Sequence, residues 1–406
     1  MKRMFNYVIP IWLAMIVNSL LGITDFIFLS SISVDYLTVV GVAYIPFALI
    51  SSLVIGLGIE SNRNQANNSN FNFWYTVIFG VILATILVIV SQLFARSFLF
   101  FAWESPLFSD IQLYFKIISF SIIPTSVLFI CTGVLRGNGL PKRTLVFSIM
   151  AVVFNIILNY LFISLNLLGD PLLGCAVATV IADTIVALVY ILYFIKIKMV
   201  KTEEMDILSF IRNALTNSIE KFLSSTTLKL ISSIFIVKLS ISSANVYFAL
   251  ERYFMPLLLF SHGYFEWIIY SYSKGIKNKG GIYPFYFLVL LIYGIVILLT
   301  LEMNLTSLHY MIIYVLFLIS SLYERTVIAK YFAEEIGKIV NYVVLVKSIL
   351  FLIYLFFITY INELSLLTFG YSNLLFTLVE IFVLKGILQS RRKRGFHSTY
   401  EEKETN

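Results

Sequence analysis

The chain is poor in charge, in cysteine and in histidine. Only 13% of its 406 residues are charged, 60% are hydrophobic, and it has two cysteines and three histidines. An ordinary globular domain is about 45–50% apolar and about 25% charged, so this composition excludes a soluble enzyme and a disordered chain. Two cysteines cannot form a disulfide scaffold, and no histidine has metal-ligand spacing to a cysteine or to another histidine. We therefore predict no metal site.

Long apolar windows dominate the rest of the sequence, and the mean hydropathy is +0.93. Because one span needs about 20 apolar residues, the chain has room for about twelve transmembrane helices. The sequence predicts an all-α, polytopic integral membrane protein. The predicted windows are 5–30, 36–58, 73–95, 111–134, 143–165, 172–195, 216–239, 243–265, 283–301, 308–328, 339–361 and 365–387.

Lysine and arginine are concentrated on one predicted side of these spans. Lys2 and Arg3 lie there with most of the other basic residues, whereas Arg96, Lys116 and Lys238 lie at the opposite edge. Cytoplasmic loops carry the excess of basic residues, so we expect a multi-pass protein of the cell inner (plasma) membrane with both termini in the cytoplasm. The net charge of +7 then reflects membrane topology, and no nucleic-acid partner is expected.

The order of the spans predicts two pseudo-symmetric six-helix lobes. We place the N-terminal lobe at 1–200, the C-terminal lobe at 201–390 and a polar cytoplasmic tail at 391–406. The joint at 198–212 is amphipathic, which is typical of an interfacial helix. Folds of this kind hold a substrate between the lobes and alternate its access, so we expect a transporter that functions as a monomer.

Polar residues inside the first-half spans suggest an ion site. Asp25 lies in the first span, while Asn155 and Asn159 share one face of the fifth, and Thr179 and Asp183 share one face of the sixth. The helix rise places Asp25, Asn159 and Thr179 at a common depth of roughly 8–10 Å from the outer ends of their spans. A carboxylate with amide and hydroxyl oxygens could bind H⁺ or Na⁺. The alternative is hydrogen bonding between helices without transport chemistry.

Three motifs carry a resemblance to a known family. They are R-G-N-G-L-P-K-R at 136–143, N-I-I-L-N at 155–159 and L-G-C-A-V-A-T at 173–179, with Pro10 and I-T-D-F at 23–26 in the first span. This pattern resembles the multidrug and toxic compound extrusion (MATE) family, of the multidrug/oligosaccharidyl-lipid/polysaccharide flippase superfamily.

The resemblance implies twelve helices in two lobes and antiport of H⁺ or Na⁺ against amphiphilic small molecules, drugs or toxic metabolites. It also implies that an acid in the first span is coupled to polar residues in spans five and six, here Asp25, Asn155, Asn159 and Thr179. Several relatives carry a second acid where this chain has Asn159, which leaves Asp25, helped by Asp183, as the titrating group.

The second half carries charges at depth. We predict a Lys229–Glu251 pair, because unpaired charges in a membrane are costly, and this leaves Arg252 and Lys347 as unmatched cations. Such a cationic lobe would suit an anionic cargo. The alternative function is therefore a flippase for a lipid-linked oligosaccharide, or an exporter of one specific peptide or metabolite.

Two further charges in this half, Glu324 and Arg325, lie near the inner end of their span. Long side chains at such positions can extend to the membrane surface, and we expect both to do so.

An intramembrane enzyme is not expected. Such enzymes need paired carboxylates, a His–Ser arrangement or a zinc motif at helical spacing, and the spans show none of these. No phosphate-binding G-x-x-x-x-G-K-[ST] occurs, so an ion gradient or the gradient of the cargo must drive transport. We expect no cofactor other than the coupling ion and no partners beyond the bilayer and the cargo.

Overall fold

The computed structural model describes most of the chain. The described residues are 2–67, 71–197, 206–223, 241–276, 305–334, 336–361 and 365–393, with 286, 287, 289, 290 and 294 between them.

The described residues are mostly helical. The first half contains α1 (Lys2–Ser30), α2 (Val34–Asn67), α3 (Phe73–Leu93), α4 (Ala95–Phe98), α5 (Phe108–Ile118), α6 (Ile122–Gly137), α7 (Pro141–Asn159), α8 (Pro171–Ile197) and α9 (Ile207–Lys221). The second half contains α10 (Ile241–Ser273), α11 (Leu305–Ala333), α12 (Gly337–Tyr360) and α13 (Leu366–Lys393). A 3₁₀ turn at Ser119–Ser121 joins α5 to α6, and a π-helical turn at Tyr160–Ser164 follows α7.

Several helices begin at residues whose chemistry favours a helix start. Asn72 precedes α3 and accepts a hydrogen bond from the backbone N–H of Tyr75 at 3.2 Å. Asp206 does the same for α9 through the N–H of Ser209, at 3.1 Å. Pro141 occupies the first turn of α7, where its missing N–H has no intrahelical partner to lose.

Nine helices of the described part of the chain are long and apolar enough to cross a membrane. They include Lys2–Leu29, Thr38–Asn67, Phe73–Leu93 and Phe108–Gly137, each of which overlaps one predicted window. The predicted windows at 216–239 and 283–301 fall mainly outside the described residues. The all-helical membrane fold is confirmed, and the arrangement of twelve helices in two lobes stays a prediction.

The chain divides into two compact units. The first unit comprises 1–12 and 223–406, and the second comprises 13–222. Helix α1 therefore contributes its first turns to one unit and the rest of its length to the other. The division after 222 differs from the predicted joint at 200, because α9 packs against α2 and belongs to the second unit.

The helices of the second unit approach each other closely at glycines. A Cβ atom on Gly133 of α6 would lie 2.2 Å from the carbonyl oxygen of Gly58 on α2. A Cβ atom on Gly56 would lie 2.1 Å from the carbonyl oxygen of Ala214 on α9. Small residues let membrane helices pack backbone against backbone. Helix α9, which overlaps the amphipathic segment predicted at 198–212, is thus held against α2, and its Ala214 is buried.

Candidate functional site

The predicted ion site is centred on Asp25 of α1, which is only 5% exposed. Its Oδ1 atom accepts a hydrogen bond from Nδ2 of Asn159 at 2.6 Å, and its Oδ2 atom accepts one from Oγ1 of Thr179 at 3.2 Å. Three helices, α1, α7 and α8, each supply one of these groups. The shared depth inferred from the helix rise therefore corresponds to direct contact.

Asn155 connects the same three helices one turn away. Its Oδ1 atom accepts from Nδ2 of Asn159 at 3.1 Å and from Oγ1 of Thr24 at 2.7 Å, and its Nδ2 atom donates to Oγ1 of Thr179 at 3.3 Å. Sequence reasoning did not select Thr24, although this residue directly precedes Asp25 in the I-T-D-F motif. The spacing of four residues along α7 turns both asparagine side chains toward α1.

One atom of this network lacks a partner. Oδ1 of Asn159 is buried and accepts no hydrogen bond from any described residue. A buried amide oxygen without a donor is costly, since its desolvation is not compensated. It is thus available to accept a hydrogen bond from a neighbour or to bind a cation, and it lies on the side chain that already contacts Asp25.

Asp183 belongs to the same unit but has a different partner. Its Oδ2 atom accepts a hydrogen bond of 2.5 Å from Oγ of Ser121, in the turn between α5 and α6. Among the described residues it makes no direct bond to Asp25, although the two carboxylates interact electrostatically. Ser121 was missed by sequence reasoning, because one serine in an apolar window carries no distinctive signal.

The buried charges of the second half form a cluster that the sequence did not reveal. Nζ of Lys347 on α12 lies 3.0 Å from Oε1 of Glu324 on α11 and 2.5 Å from Oε2 of Glu380 on α13. The prediction that Lys347 is unmatched is therefore wrong, because two neighbouring helices each supply a carboxylate. The prediction that Glu324 and Arg325 extend to the membrane surface is also wrong, since their exposed fractions are 6% and 8%.

The other residues predicted in the second half are Lys229, Glu251 and Arg252. Lys229 lies outside the described residues, and so does the predicted Lys229–Glu251 pair. Glu251 and Arg252 lie on α10, but their side chains are outside the described part of the chain. Sequence reasoning missed Glu380, because this acid has no second charged residue three or four positions away that would mark it as part of a site.

A second unforeseen cluster surrounds Glu60 on α2, which is buried. Its carboxylate forms an ion pair with Arg63, and it accepts bonds from Nδ2 of Asn213 and of Asn217 on α9, both at 3.4 Å. The acid has an adjacent cation and several donors, so it fits a structural role in joining α9 to α2.

The described residues include no group of three or more histidine, cysteine or carboxylate side chains that could hold a metal ion. The two cysteines, Cys131 and Cys175, are buried free thiols.

The sequence of the first half matches a family model. The MatE model covers residues 10–161, which include Asp25, Asn155 and Asn159. Residues 10–161 are a MatE domain. This match confirms the predicted likeness to the MATE family.

Solved structures share the fold of this chain over nearly its whole length. A MATE transporter in the straight conformation has 17% identity and a TM-score of 0.79, with 97% of each chain covered. An outward-facing multidrug resistance MATE transporter has 16% identity and a TM-score of 0.77, with 98% of this chain and 97% of that one covered. A transporter of the same superfamily from Pyrococcus furiosus, described as having a binding pocket of reverse polarity, has 16% identity and a TM-score of 0.78. This alignment covers 97% of the present chain and 95% of the Pyrococcus furiosus protein. No curated protein sequence matches the chain significantly.

Proposed function

We propose that this MatE-domain transporter exports amphiphilic small molecules, drugs or toxic metabolites, by antiport against H⁺ or Na⁺. Asp25 is the coupling acid in this proposal, and access to the cargo alternates between the two lobes. The observation that carries it is a buried carboxylate, within a candidate span, that is held by the neutral donors of Asn159 and Thr179.

A carboxylate without a cationic partner has a charge that a proton or a sodium ion can cancel. The charged carboxylate is costly within a membrane, so its neutralisation strongly lowers the free energy of placing Asp25 in an apolar environment. After protonation, Asp25 becomes a hydrogen-bond donor, and the unpartnered Oδ1 of Asn159 is an acceptor on an adjacent side chain. For sodium, oxygens of Asp25, Asn155, Asn159 and Thr179 offer the hard ligands that such an ion prefers.

Helix α1 provides a way to transmit this change. Its first turns are held in one unit, where the ring of Tyr7 stacks on Tyr270 at 4.6 Å and Nε1 of Trp12 donates to the carbonyl of Pro256 at 2.7 Å. Farther along α1, Thr24 and Asp25 are held in the other unit. A change in the bonds of Asp25 therefore acts on a helix that also belongs to the opposite unit. Pro10 lies inside α1 and removes one backbone donor, so the helix can bend there in response.

The proposal includes a location in the cell inner membrane with both termini in the cytoplasm, function as a monomer, and no nucleic-acid partner. The alternative of a lipid-linked oligosaccharide flippase was based on unmatched cations in the second half. Lys347 no longer supports it, because this ammonium is paired with two carboxylates.

The test is transport by purified protein in liposomes. We expect Asp25→Asn to abolish efflux of ethidium driven by an imposed pH or sodium gradient. An amide has no negative charge, so it can neither take up and release a proton nor neutralise a sodium ion. Asp35→Asn is the matched control, since Asp35 is an exposed acid in the first turn of α2. Full gradient-driven efflux by the Asp25 variant would contradict the proposal.

A further inference from the structure

A groove lies between α12 and α13, both in the unit that contains 223–406. Its cavity volume is about 410 Å³, and its walls include Tyr342, Val346 and Leu350 on α12 and Leu375, Val379 and Val383 on α13. These side chains are between 40% and 71% exposed. Since both helices are candidate membrane spans, their exposed apolar side chains face a bilayer and not water.

The wall residues follow a single stripe on each helix. Tyr342, Val346 and Leu350 are four residues apart, and so are Leu375, Val379 and Val383, so each set shares one helix face. From residue 342 to residue 350 the groove is about 12 Å long, given the rise per residue. It thus runs along the helices, as an acyl chain does in a bilayer.

The two ends of the groove differ in charge. One turn before Tyr342 on the same stripe is the exposed Lys338, and two turns after Val383 is Arg391. At the other end the stripes continue with Tyr354 and Tyr371, which carry no charge. Basic residues at the membrane surface attract anionic lipids.

We propose that this groove binds an anionic phospholipid of the leaflet next to the chain's basic end. One acyl chain lies between α12 and α13, and the phosphate lies near Lys338 and Arg391. The polar head group lies at the basic end, where positive side chains attract its phosphate. The charged wall residues farther along, Lys347 and Glu380, pair with each other. This inference needs only the membrane fold and is independent of the cargo and the coupling ion.

The lipid also has a consequence for the ion cluster beneath it. Lys347 and Glu380 line the groove while their charged groups pair. An acyl chain in the groove would keep this pair in an apolar environment, where the attraction between opposite charges is stronger.

The test is native mass spectrometry of the purified full chain with dioleoylphosphatidylglycerol or dioleoylphosphatidylcholine. We expect the wild type to retain one phosphatidylglycerol in preference to phosphatidylcholine. Val379→Trp and Leu350→Trp fill the groove and should each abolish this retention. Phe382→Trp is the matched control, because Phe382 is 81% exposed on the same helix and is not a wall residue.

A second set of variants tests the head-group contact. Neutralising Lys338 and Arg391 to glutamine should reduce the preference for the anionic lipid about fivefold for each charge removed. Lys385→Gln is the control, since this lysine lies near the same end of α13 but stacks on Tyr323. Equal retention of the two lipids by the wild type would overturn the proposal, and so would unchanged retention after the groove is filled.

Discussion

The two units each bury carboxylates in candidate spans, but they satisfy them differently. Asp25 receives hydrogen bonds from an amide and a hydroxyl, which are neutral. Glu324 and Glu380 share the ammonium of Lys347. A charge held by neutral donors can be removed by a proton without leaving another charge exposed. In the second case two carboxylates share one lysine, and the loss of both negative charges would leave the buried ammonium uncompensated.

The comparison teaches that burial of an acid in a membrane does not by itself indicate ion coupling. The groups that bind the carboxylate, neutral donors or a cation, distinguish the two cases. The Lys347 cluster fits a structural role in joining three helices, whereas the Asp25 cluster keeps a carboxylate whose charge can change. The buried, unpartnered oxygen of Asn159 is a further difference, since it leaves room for one more donor or cation.

The largest effect is expected for Lys347→Met. Removing one partner of a buried ion pair typically costs about 3–5 kcal/mol, because the remaining charges are left uncompensated. We expect a correspondingly large fall in the unfolding temperature of the detergent-solubilised protein. Adding Glu324→Gln and Glu380→Gln to the same variant should restore much of the loss. A single variant as stable as Lys338→Met, which alters an exposed lysine on the same helix, would remove the contrast between the clusters.

A smaller loss is expected for Asn159→Leu. This change removes the donor to both Asp25 and Asn155 while keeping an apolar side chain of similar size. Oδ1 of Asn155 keeps its bond from Thr24, but Oδ1 of Asp25 loses its donor. Leaving one buried acceptor without a donor costs about 1–3 kcal/mol, and the same thermal unfolding measurement detects it. The matched control is Ile157→Leu, an exposed position on the same helix. Equal unfolding temperatures of the two variants would mean that the network contributes little to stability.

The smallest effect on stability is expected for Asp25→Asn. An amide removes the cost of a buried charge, and its new N–H₂ group can donate to the unpartnered Oδ1 of Asn159. The unfolding free energy should therefore change by less than about 1 kcal/mol, with stabilisation as the expected sign. Loss of stability as large as that of Lys347→Met would show that Asp25, too, depends on its charge for structure. Thermal unfolding of the two variants side by side decides this.

Sequence reasoning predicted much of the Asp25 site but not the Lys347 cluster. Asp25, Asn159 and Thr179 were found because helix periodicity gives a common depth, and contact between α1, α7 and α8 then followed from packing. Ser121, Thr24 and Glu380 were missed, because a single polar residue on a helix indicates no partner on another helix. The prediction that Lys347 is unmatched was wrong for the same reason, because the sequence of one span does not show which residues of neighbouring helices lie next to it.

The scarcity of charge and the length of the apolar windows determined that this is a helical membrane protein, because a bilayer admits few backbone structures and sets their length. Motif spacing in the first half determined the family likeness. Only the tertiary structure decided which carboxylate pairs with which donor, because side chains on different helices meet through rotation and packing that a linear pattern does not encode. It also decided that α9 packs on α2, where Gly56 permits the approach of Ala214.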